Sequence, residues 1–410
     1  MDTLLFIIAV YSLISVLFVL VNVLFSNIQI LANLNTQIRE KKISTLKHKI
    51  SIVIPAYNES KTIAVSVNSI MSNSYPYRQV IIVNDGSTDE TAQELSKLKQ
   101  KYNDLVIVNQ KNKGKSAALN NALFNYVTGD IMLVLDADSL ASPDALAHLN
   151  LTFQDSKICA VSSNIRVLHP KKFIEWAQFF EYLFSSHNRG GQVPLNIQYI
   201  IGGAGSAFRV PLLKQVGGYD INTPTEDIAL SLKLIDHFGN KKWVFGYAQE
   251  TIFYTMPVHY YRELIKQRLR WRYGQIYALI KYKRLMFNRS QKYTFLFSFI
   301  RLPFSFLGIV GLLVGPFLTF TSFLALLMLD YYLFFGIALL FGLMLLFTLA
   351  NEPKISTNDK AKLIAFSPVL CILLSVTSFV EFISLILSFK KIRQAVKIGE
   401  ANATWNHVSR

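Results

Sequence analysis

Two carboxylates directly follow a run of aliphatic residues in the stretch IMLVLDADSL, Ile131 to Leu140. The run is typical of a buried strand, and Asp136 and Asp138 come just after it. If the turn bends the backbone between them, both side chains can bind one hard cation. Mg²⁺ or Mn²⁺, held by carboxylate and substrate phosphate oxygens, fits this chemistry. The alternative is a solvated turn that caps a helix, because a lone DxD often occurs by chance.

Two further motifs with binding chemistry occur earlier in the chain. NDGSTDET follows the apolar run VIIV, and its Asp85 could accept hydrogen bonds from a base or a ribose. A tight turn followed by a helix cap explains the same residues. KNKGKSAALN places Lys111, Lys113 and Lys115 around Gly114, ahead of a helix whose amino terminus also favours anions. A phosphate site and a charged, solvated loop both remain open there.

Two motifs in the second half of the chain combine charge with a helical pattern. TPTEDIALSLKL contains Glu226 and Asp227 just before a helical pattern, where helix capping is the simpler explanation. QRLRW, Gln267 to Trp271, offers hydrogen-bond donors and an aromatic ring on a basic amphipathic helix. A helix that anchors the protein at a membrane surface would have a similar sequence.

The elements that must position these residues alternate between strand and helix from Ile50 onward. Short β-branched runs alternate with helical ones through KISIVIPAYNES, QVIIVNDGSTDE, LVIVNQKNKGKSAALN and DIMLVLDADSL. This alternation predicts an α/β domain with a mostly parallel sheet and crossover helices. Functional loops of such sheets lie at the carboxyl ends of the strands, and the polar residues expected at such ends are Asn58, Glu59, Asp85, Asp136 and Asp138.

Hydropathy predicts a membrane protein around this domain. Residues 3–25 carry no charge, and an apolar block covers residues 302–389, so both regions can cross a bilayer of about 30 Å. A cleaved secretory signal is the alternative for the first region. We favour an uncleaved anchor, because no basic stretch precedes the apolar residues and no clear cleavage site follows them. Three carboxyl-terminal spans are expected, near 303–328, 331–350 and 362–388.

The net charge of +16 is concentrated beside these apolar regions. Arg39, Lys41, Lys42, Lys47 and Lys49 follow the first region, and residues 262–289 carry nine Lys or Arg against one Glu. This pattern predicts that the central domain is cytosolic and lies near anionic headgroups, and it argues against nucleic acid as a partner.

The basic tail conflicts with the expected number of membrane spans. One span before the domain and three after it would place the basic tail outside, so one carboxyl-terminal block is re-entrant or interfacial, or a span is miscounted.

The chain has two cysteines, Cys159 and Cys371, too few for a disulfide framework or a cysteine metal site.

The order of the motifs is more specific than any one of them. PAYNE, NDGSTD, NKGK, DAD, TED and QRLRW, followed by a membrane block, resemble the processive family 2 glycosyltransferases, which include cellulose, chitin, hyaluronan and poly-N-acetylglucosamine synthases. TEDIALSLKL, the spacing to QRLRW and a late ATW resemble the bacterial biofilm poly-N-acetylglucosamine synthases most. The resemblance implies a GT-A nucleotide-diphospho-sugar transferase fold within an α-helical membrane protein. One amino-terminal span departs from relatives that often have two.

The resemblance also implies roles on the donor side. Uridine would contact four residues: Ala56, Tyr57, Glu59 and Asp85. Lys115 would lie near the diphosphate, and Asp136 near the nucleotide and donor sugar. Asp138, together with Asp136, would hold Mg²⁺ or Mn²⁺.

On the acceptor side, the resemblance implies that Asp227 of TED is the general base, with Glu226 beside it. The acceptor and diphosphate would contact four residues of QRLRW: Gln267, Arg268, Arg270 and Trp271. The glycine-rich stretch 202–206 would adjoin the acceptor sugar. Such an enzyme would transfer a sugar from a UDP-sugar, UDP-N-acetylglucosamine by resemblance, to a growing β-linked polysaccharide, and would help to export it.

These expectations divide the chain into five parts. They are a transmembrane helix (1–32), a cytosolic catalytic domain (48–258), a basic interfacial region (259–290), a transmembrane block (291–390) and a basic tail (391–410). The expected partners are the nucleotide sugar, the polysaccharide and the lipid bilayer of the cell membrane, and a small membrane subunit is left open.

Two other functions fit parts of the same pattern. A non-processive glycosyltransferase that acts on a lipid acceptor shares PAYNE, NDGSTD and DAD, but QRLRW and the long membrane block favour the polymer synthase. A membrane transporter or receptor that only senses nucleotides should carry polar sites inside its spans, and Glu381 is the only clear candidate.

Overall fold

The computed structural model describes residues 2–40, 48–350, 352 and 354–398. It places an α/β domain between an amino-terminal helix and a carboxyl-terminal group of helices. Lys41, Lys42 and Lys47, and residues 399–410 with the ATW motif, lie outside the described residues.

One sheet of eight strands forms the centre of the domain, in the order β3-β2-β1-β4-β7-β6-β8-β5. Strands β1 to β4 are mutually parallel, β6 pairs with β8 in parallel, and β7 and β5 add antiparallel pairs. The predicted α/β class with a mostly parallel sheet is confirmed. The strands are β1 (Ile50–Ala56), β2 (Arg78–Asp85), β3 (Val106–Gln110), β4 (Ile131–Val134), β5 (Ser139–Ala141), β6 (Ile158–Val167), β7 (Ser206–Arg209) and β8 (Val244–Thr255).

The apolar runs become strands because both faces of the sheet are covered. Ile52 and Ile54 of β1 pack into one core, while Val53 between them packs into the core on the other face. This alternation is the period-2 geometry of a strand with helices on both sides.

Fourteen α-helices are described. They are α1 (Asp2–Glu40), α2 (Ile63–Met71), α3 (Thr91–Lys101), α4 (Lys115–Asn125), α5 (Ala145–Thr152), α6 (Phe173–Gln192), α7 (Val210–Gln215), α8 (Glu226–Phe238), α9 (Tyr261–Lys281), α10 (Leu302–Phe306), α11 (Gly308–Gly311), α12 (Val314–Leu327), α13 (Tyr331–Ala350) and α14 (Thr357–Ile398). A 3₁₀ turn covers Lys283–Leu285, and a π-helix covers Leu296–Arg301.

Among the described residues, two helices are long and apolar enough to cross a membrane by length and composition, over Ala9–Ala32 and Thr357–Lys397. Helix α1 continues past residue 32, the boundary expected from sequence, to Glu40. Helix α12, at about 1.5 Å per residue, is near 21 Å long, shorter than the hydrocarbon layer.

Helix α14 contacts α6 near its start and α9 farther along. Near its start, the Phe366 ring lies 5.0 Å from that of Phe173 on α6. Farther along, Glu381 pairs with Arg272 of α9 at 3.0 Å, and Ile392 packs in one cluster with Ile276 of α9. Helix α14 therefore runs along α6 and α9 for much of its length.

A buried ion cluster joins the segment between α13 and α14 to the domain. The Glu352 carboxylate contacts the guanidinium of Arg166 on β6 and lies 3.0 Å from Nε2 of His187 on α6. All three side chains are almost fully buried. Nδ1 of His187 lies 3.3 Å from Oγ of Ser26, so α1 is attached to the same cluster.

Candidate active site

The parallel strands bring the sequence-predicted residues of the donor side to one edge of the sheet. Ala56 at the end of β1 is in register with Asn84 of β2, and Val53 of β1 with Val134 of β4. The loops that follow these three strands therefore adjoin each other. The prediction that functional loops cluster at the carboxyl ends of the strands agrees with this arrangement.

The loops after β1 and β2 are bonded to each other. Oδ1 of Asn58, which has a left-handed backbone (φ +57°), accepts a hydrogen bond from the Thr88 amide at 2.8 Å. The Glu59 carboxylate accepts a 2.6 Å hydrogen bond from the Thr62 hydroxyl, within its own loop. Ala56 is buried and Tyr57 is partly exposed, so Tyr57 borders the surface that these two loops form.

The buried carboxylate of Asp85 holds the lysine-rich loop before α4. It accepts hydrogen bonds from the amides of Lys113 (2.9 Å) and Gly114 (2.8 Å) and from Nε2 of Gln110 (2.7 Å). Gly86 allows the loop to pack closely, since a Cβ there would lie 2.7 Å from the Asn112 amide. Asp85 thereby fixes the backbone that leads into Lys115.

Lys115 connects the DAD and TED motifs. Its ammonium lies 2.8 Å from Oδ1 of Asp136 and 3.0 Å from Oε1 of Glu226. Burial opposes the charge on Lys115, but the two carboxylates outweigh burial and raise its pKa. Lys115, Asp136 and Glu226 thus form one charged cluster, although Lys115 and Glu226 are 111 positions apart in the sequence.

Asp227 lies beside this cluster at the first turn of α8. Its Oδ2 accepts a 2.6 Å hydrogen bond from the Gly203 amide, and its Oδ1 accepts one of 2.8 Å from the Ile228 amide. Burial and the neighbouring Glu226 carboxylate raise the pKa of Asp227 to about 6, against the opposing effects of Lys115 and the two amides. A carboxyl group with this pKa is largely ionised at neutral pH and can still take up a proton.

Glycines leave open space beside Asp227. Gly203 has a left-handed backbone (φ +44°), which favours glycine, and a Cβ there would lie 3.7 Å from Oδ2 of Asp227. A Cβ at Gly202 would lie 3.9 Å from the same oxygen. The backbone of this loop therefore lies directly beside the carboxylate, with no side chain of residue 202 or 203 between them.

Asp136 and Asp138 can offer a metal ion only carboxylate oxygen ligands, and Asp138 is buried. No group of three or more His, Cys, Asp or Glu side chains is placed to hold a metal ion within the residues that the structure describes. A cation shared with a nucleotide diphosphate needs only one or two carboxylates, because phosphate oxygens and water supply the remaining ligands. The pair therefore fits a hard divalent cation held jointly with a substrate.

The QRLRW motif lies on α9, which packs directly against the TED motif. A Cβ at Gly274 would lie 2.2 Å from Oγ1 of Thr225, the residue before Glu226, so only glycine permits this approach. Gln267 and Arg268 are buried, whereas Arg270 is exposed.

Arg268 and the partly exposed Trp271 form a stacked group. The Arg268 guanidinium contacts the Glu181 carboxylate of α6 and lies 4.3 Å from the centre of the Trp271 ring. The Trp271 ring meets Tyr182 edge to face at 6.3 Å. Sequence reasoning missed Glu181 and Tyr182, because helix α6 carries no motif, and it missed the contact between Gly274 and Thr225.

Comparison with known proteins connects this geometry to a family. Residues 51–217 match Glycosyl transferase family 2. Two similar curated proteins are poly-β-1,6-N-acetyl-D-glucosamine synthases. The one from Staphylococcus epidermidis is 29% identical over 239 residues, and the one from Staphylococcus aureus is 31% identical over 236. Each alignment covers 57% of this chain and 56% of the relative, so the chain spans slightly more than half the length of these relatives.

A solved structure shares the fold over most of the chain. A mannosyltransferase from Pyrobaculum calidifontis, in complex with GDP-mannose and Mn²⁺, superimposes with a TM-score of 0.54 at 18% identity. The match covers 89% of this chain and 98% of the mannosyltransferase. The α/β domain thus has the GT-A-like fold that the sequence predicted, and residues 51–217 within it are similar to family 2 glycosyltransferases.

Proposed function

We propose that the chain is an inverting glycosyltransferase that transfers N-acetylglucosamine from its UDP derivative to a growing β-linked polysaccharide. The observation that carries the proposal is the Asp227 carboxyl, whose pKa is raised to about 6 beside the Lys115 and Asp136 pair and under a glycine loop. Similarity to poly-N-acetylglucosamine synthases over 57% of the chain supports the choice of sugar.

The donor is bound at the edge formed by the loops after β1, β2 and β4. Ala56, Tyr57 and Glu59 contact the uridine in this proposal. Asp85 contributes indirectly, because its carboxylate accepts three hydrogen bonds, from Gln110 at the end of β3 and from the loop that leads to Lys115. The lysine ammonium adjoins the diphosphate and fixes the position of Asp136.

Asp136 and Asp138 hold Mg²⁺ or Mn²⁺ together with the diphosphate. When bound, the cation stabilises the negative charge of the departing UDP. The similar mannosyltransferase was solved with Mn²⁺ and a nucleotide sugar, which supports a divalent cation without distinguishing between the two metals.

The chemical step is a single displacement at the anomeric carbon. The acceptor hydroxyl oxygen forms a bond to this carbon while the bond to the diphosphate oxygen breaks, and UDP departs. Asp227 takes the hydroxyl proton, because an unassisted sugar hydroxyl is a poor nucleophile. Attack opposite to the leaving group inverts the carbon, so an α-linked donor gives a β-linkage.

The acceptor side is formed by α9. Trp271 offers the face of an indole to a sugar ring, and Arg268 with Glu181 fixes the orientation of that indole. Gln267 lies beside Arg268, whose Nη1 is 3.3 Å from the Gln267 amide oxygen. Exposed Arg270 remains able to approach the diphosphate. The contact between Gly274 and Thr225 brings this surface to the base, Asp227.

Membrane attachment and export complete the proposal. Helices α1 and α14 are the long apolar helices, and exposed aliphatic side chains along α14 need a lipid environment. Because α14 contacts α6 near its start and α9 farther along, we assign α14 to the membrane surface on the side of the catalytic domain. This assignment places Lys390, Lys391, Arg393 and Lys397 on the cytosolic side, as their positive charge predicts.

Incubation of membranes that contain the protein with a panel of nucleotide sugars and Mg²⁺ tests this function. We expect incorporation from UDP-N-acetylglucosamine into a product of many sugars that a β-specific N-acetylglucosaminidase digests. A product with a single sugar on a lipid would refute polymerisation and support the lipid-acceptor enzyme. Incorporation from another nucleotide sugar only would refute the proposed donor.

A further inference from the structure

A cavity of about 330 Å³ lies where β6 and β8 end and α6 begins. None of the site residues described above lines it. Its polar lining consists of basic or titratable side chains and one carboxylate: His169, Lys171, Lys172, Glu175 and His259.

The carboxylate in this cavity is already bonded to the protein. Oε2 of Glu175 accepts hydrogen bonds from the amides of Lys171 (2.7 Å) and Lys172 (3.1 Å), and Oε1 lies 2.7 Å from Nδ1 of His259. Both lysine side chains belong to exposed residues, and they stand at the positive end of the 20-residue helix α6. The charge presented to a ligand in the cavity is therefore positive.

Aromatic rings connect the cavity to the apolar surface of α14. Phe173, the first residue of α6, is 43% exposed and packs against Phe366 at 5.0 Å. Tyr260, next to His259, is 65% exposed, and the Lys172 ammonium lies 5.0 Å from its ring centre. Helix α14 also exposes aliphatic residues beyond Phe366, among them Val369, Ile372 and Val376. Lysine beside exposed aromatic rings is typical of the membrane interface.

We propose that this cavity binds the phosphate group of an anionic phospholipid. The ammonium groups of Lys171 and Lys172 contact the phosphate, while Phe173 and Tyr260 border the acyl chains. A free phosphate would use the same charges but would gain nothing from the exposed rings or from α14. This inference rests on the membrane attachment proposed above and not on the identity of the transferred sugar.

Native mass spectrometry of the full-length protein in detergent tests the site with dioleoylphosphatidylglycerol, dioleoylphosphatidylcholine and inorganic phosphate as separate probes. We expect wild type to bind the phosphatidylglycerol at least tenfold more tightly than the phosphatidylcholine. The double variant Lys171→Glu/Lys172→Glu should lose this preference. The matched control Lys97→Glu/Lys101→Glu changes two exposed lysines of α3, at the far end of the sheet, and should keep it.

Three outcomes would overturn the proposal. They are equal binding of the two lipids by wild type, an unchanged preference in the Lys171/Lys172 variant, and complete displacement of phosphatidylglycerol by millimolar inorganic phosphate, which would indicate a free-phosphate site. The milder Lys171→Gln/Lys172→Gln variant provides the comparison if charge reversal prevents folding. The measurement contains no nucleotide sugar, and Asp227→Asn should retain the lipid preference, so failure of the catalytic proposal remains distinguishable.

Discussion

The rate of sugar transfer should depend on pH through the Asp227 carboxyl. Burial and Glu226 raise its pKa from 3.8 to about 6. A general base acts only when it is deprotonated. With a pKa near 6, the deprotonated fraction is about nine tenths at pH 7 and about one tenth at pH 5, so the rate should fall about tenfold over this range.

The fall in rate toward low pH is the acid limb of the pH–rate profile. Two substitutions beside Asp227 should shift this limb in opposite directions. Glu226→Gln removes the like charge that raises the Asp227 pKa, so the limb should shift to lower pH. Lys115→Met removes the cation that lowers it, so the limb should shift to higher pH. A charge within about 4–6 Å changes a pKa by about one unit or more, which is large enough to resolve.

The assay is the initial rate of UDP release between pH 5 and 8 at donor concentrations well below KM, with Mg²⁺ at constant ionic strength, because kcat/KM reports the pKa of the free enzyme. Both variants will also lower the rate, so the position of the limb is the quantity to compare. Glu94→Gln, on α3 and away from the site, serves as the control and should leave the limb unchanged. A limb at the same pH in wild type and in both variants would refute the assignment of Asp227 as the titrating base.

Three further predictions follow from the same geometry. Asp138→Ala should abolish transfer without unfolding the protein, as chelation should; full turnover of wild type in excess chelator, measured by UDP release, would contradict the metal site. If Trp271 contacts the acceptor, Trp271→Ala should sharply reduce the polymer made per folded molecule while donor binding persists. If Trp271 only anchors the protein, the variant should instead be less abundant in the membrane; product sizing and quantitative blotting separate the two. In a chain without native cysteines, Ser96→Cys and Gln394→Cys should react with an impermeant maleimide only after the membrane is opened; labelling at residue 394 in intact cells would contradict the placement of α14.

The part of the fold that sequence predicts well is the alternation of strands and helices up to β4. Apolar runs such as IVIPA and IMLV are buried on both faces, and the pattern is local, so it is visible without the structure. The same reasoning placed Asp136 and Asp138 at the carboxyl edge of the sheet. The antiparallel additions, β5 and β7, are strands of three and four residues, and their short sequences carry no comparable signal.

The sequence names candidate site residues, but it does not reveal the hydrogen bonds and ion pairs among them. Asp85 was interpreted as a ligand for uridine, which stays a prediction, and nothing in the sequence indicates that its carboxylate also accepts hydrogen bonds from the amides of Lys113 and Gly114. The ion pair between Arg166 and Glu352 joins residues 186 positions apart. Such contacts depend on how distant elements pack, and the spacing of residues in one sequence does not encode them in readable form.

The central claim is that Asp227 is the general base of an inverting sugar transfer, and one comparison tests it most directly. The measurement is the rate of UDP release from UDP-N-acetylglucosamine by purified Asp227→Asn and wild-type protein, normalised to folded protein and accompanied by the donor dissociation constant of each. Asparagine keeps the shape of the side chain but cannot accept the proton, so the rate should fall by roughly 10² or more while donor affinity stays within about twofold. A variant that transfers sugar at the wild-type rate would contradict the mechanism.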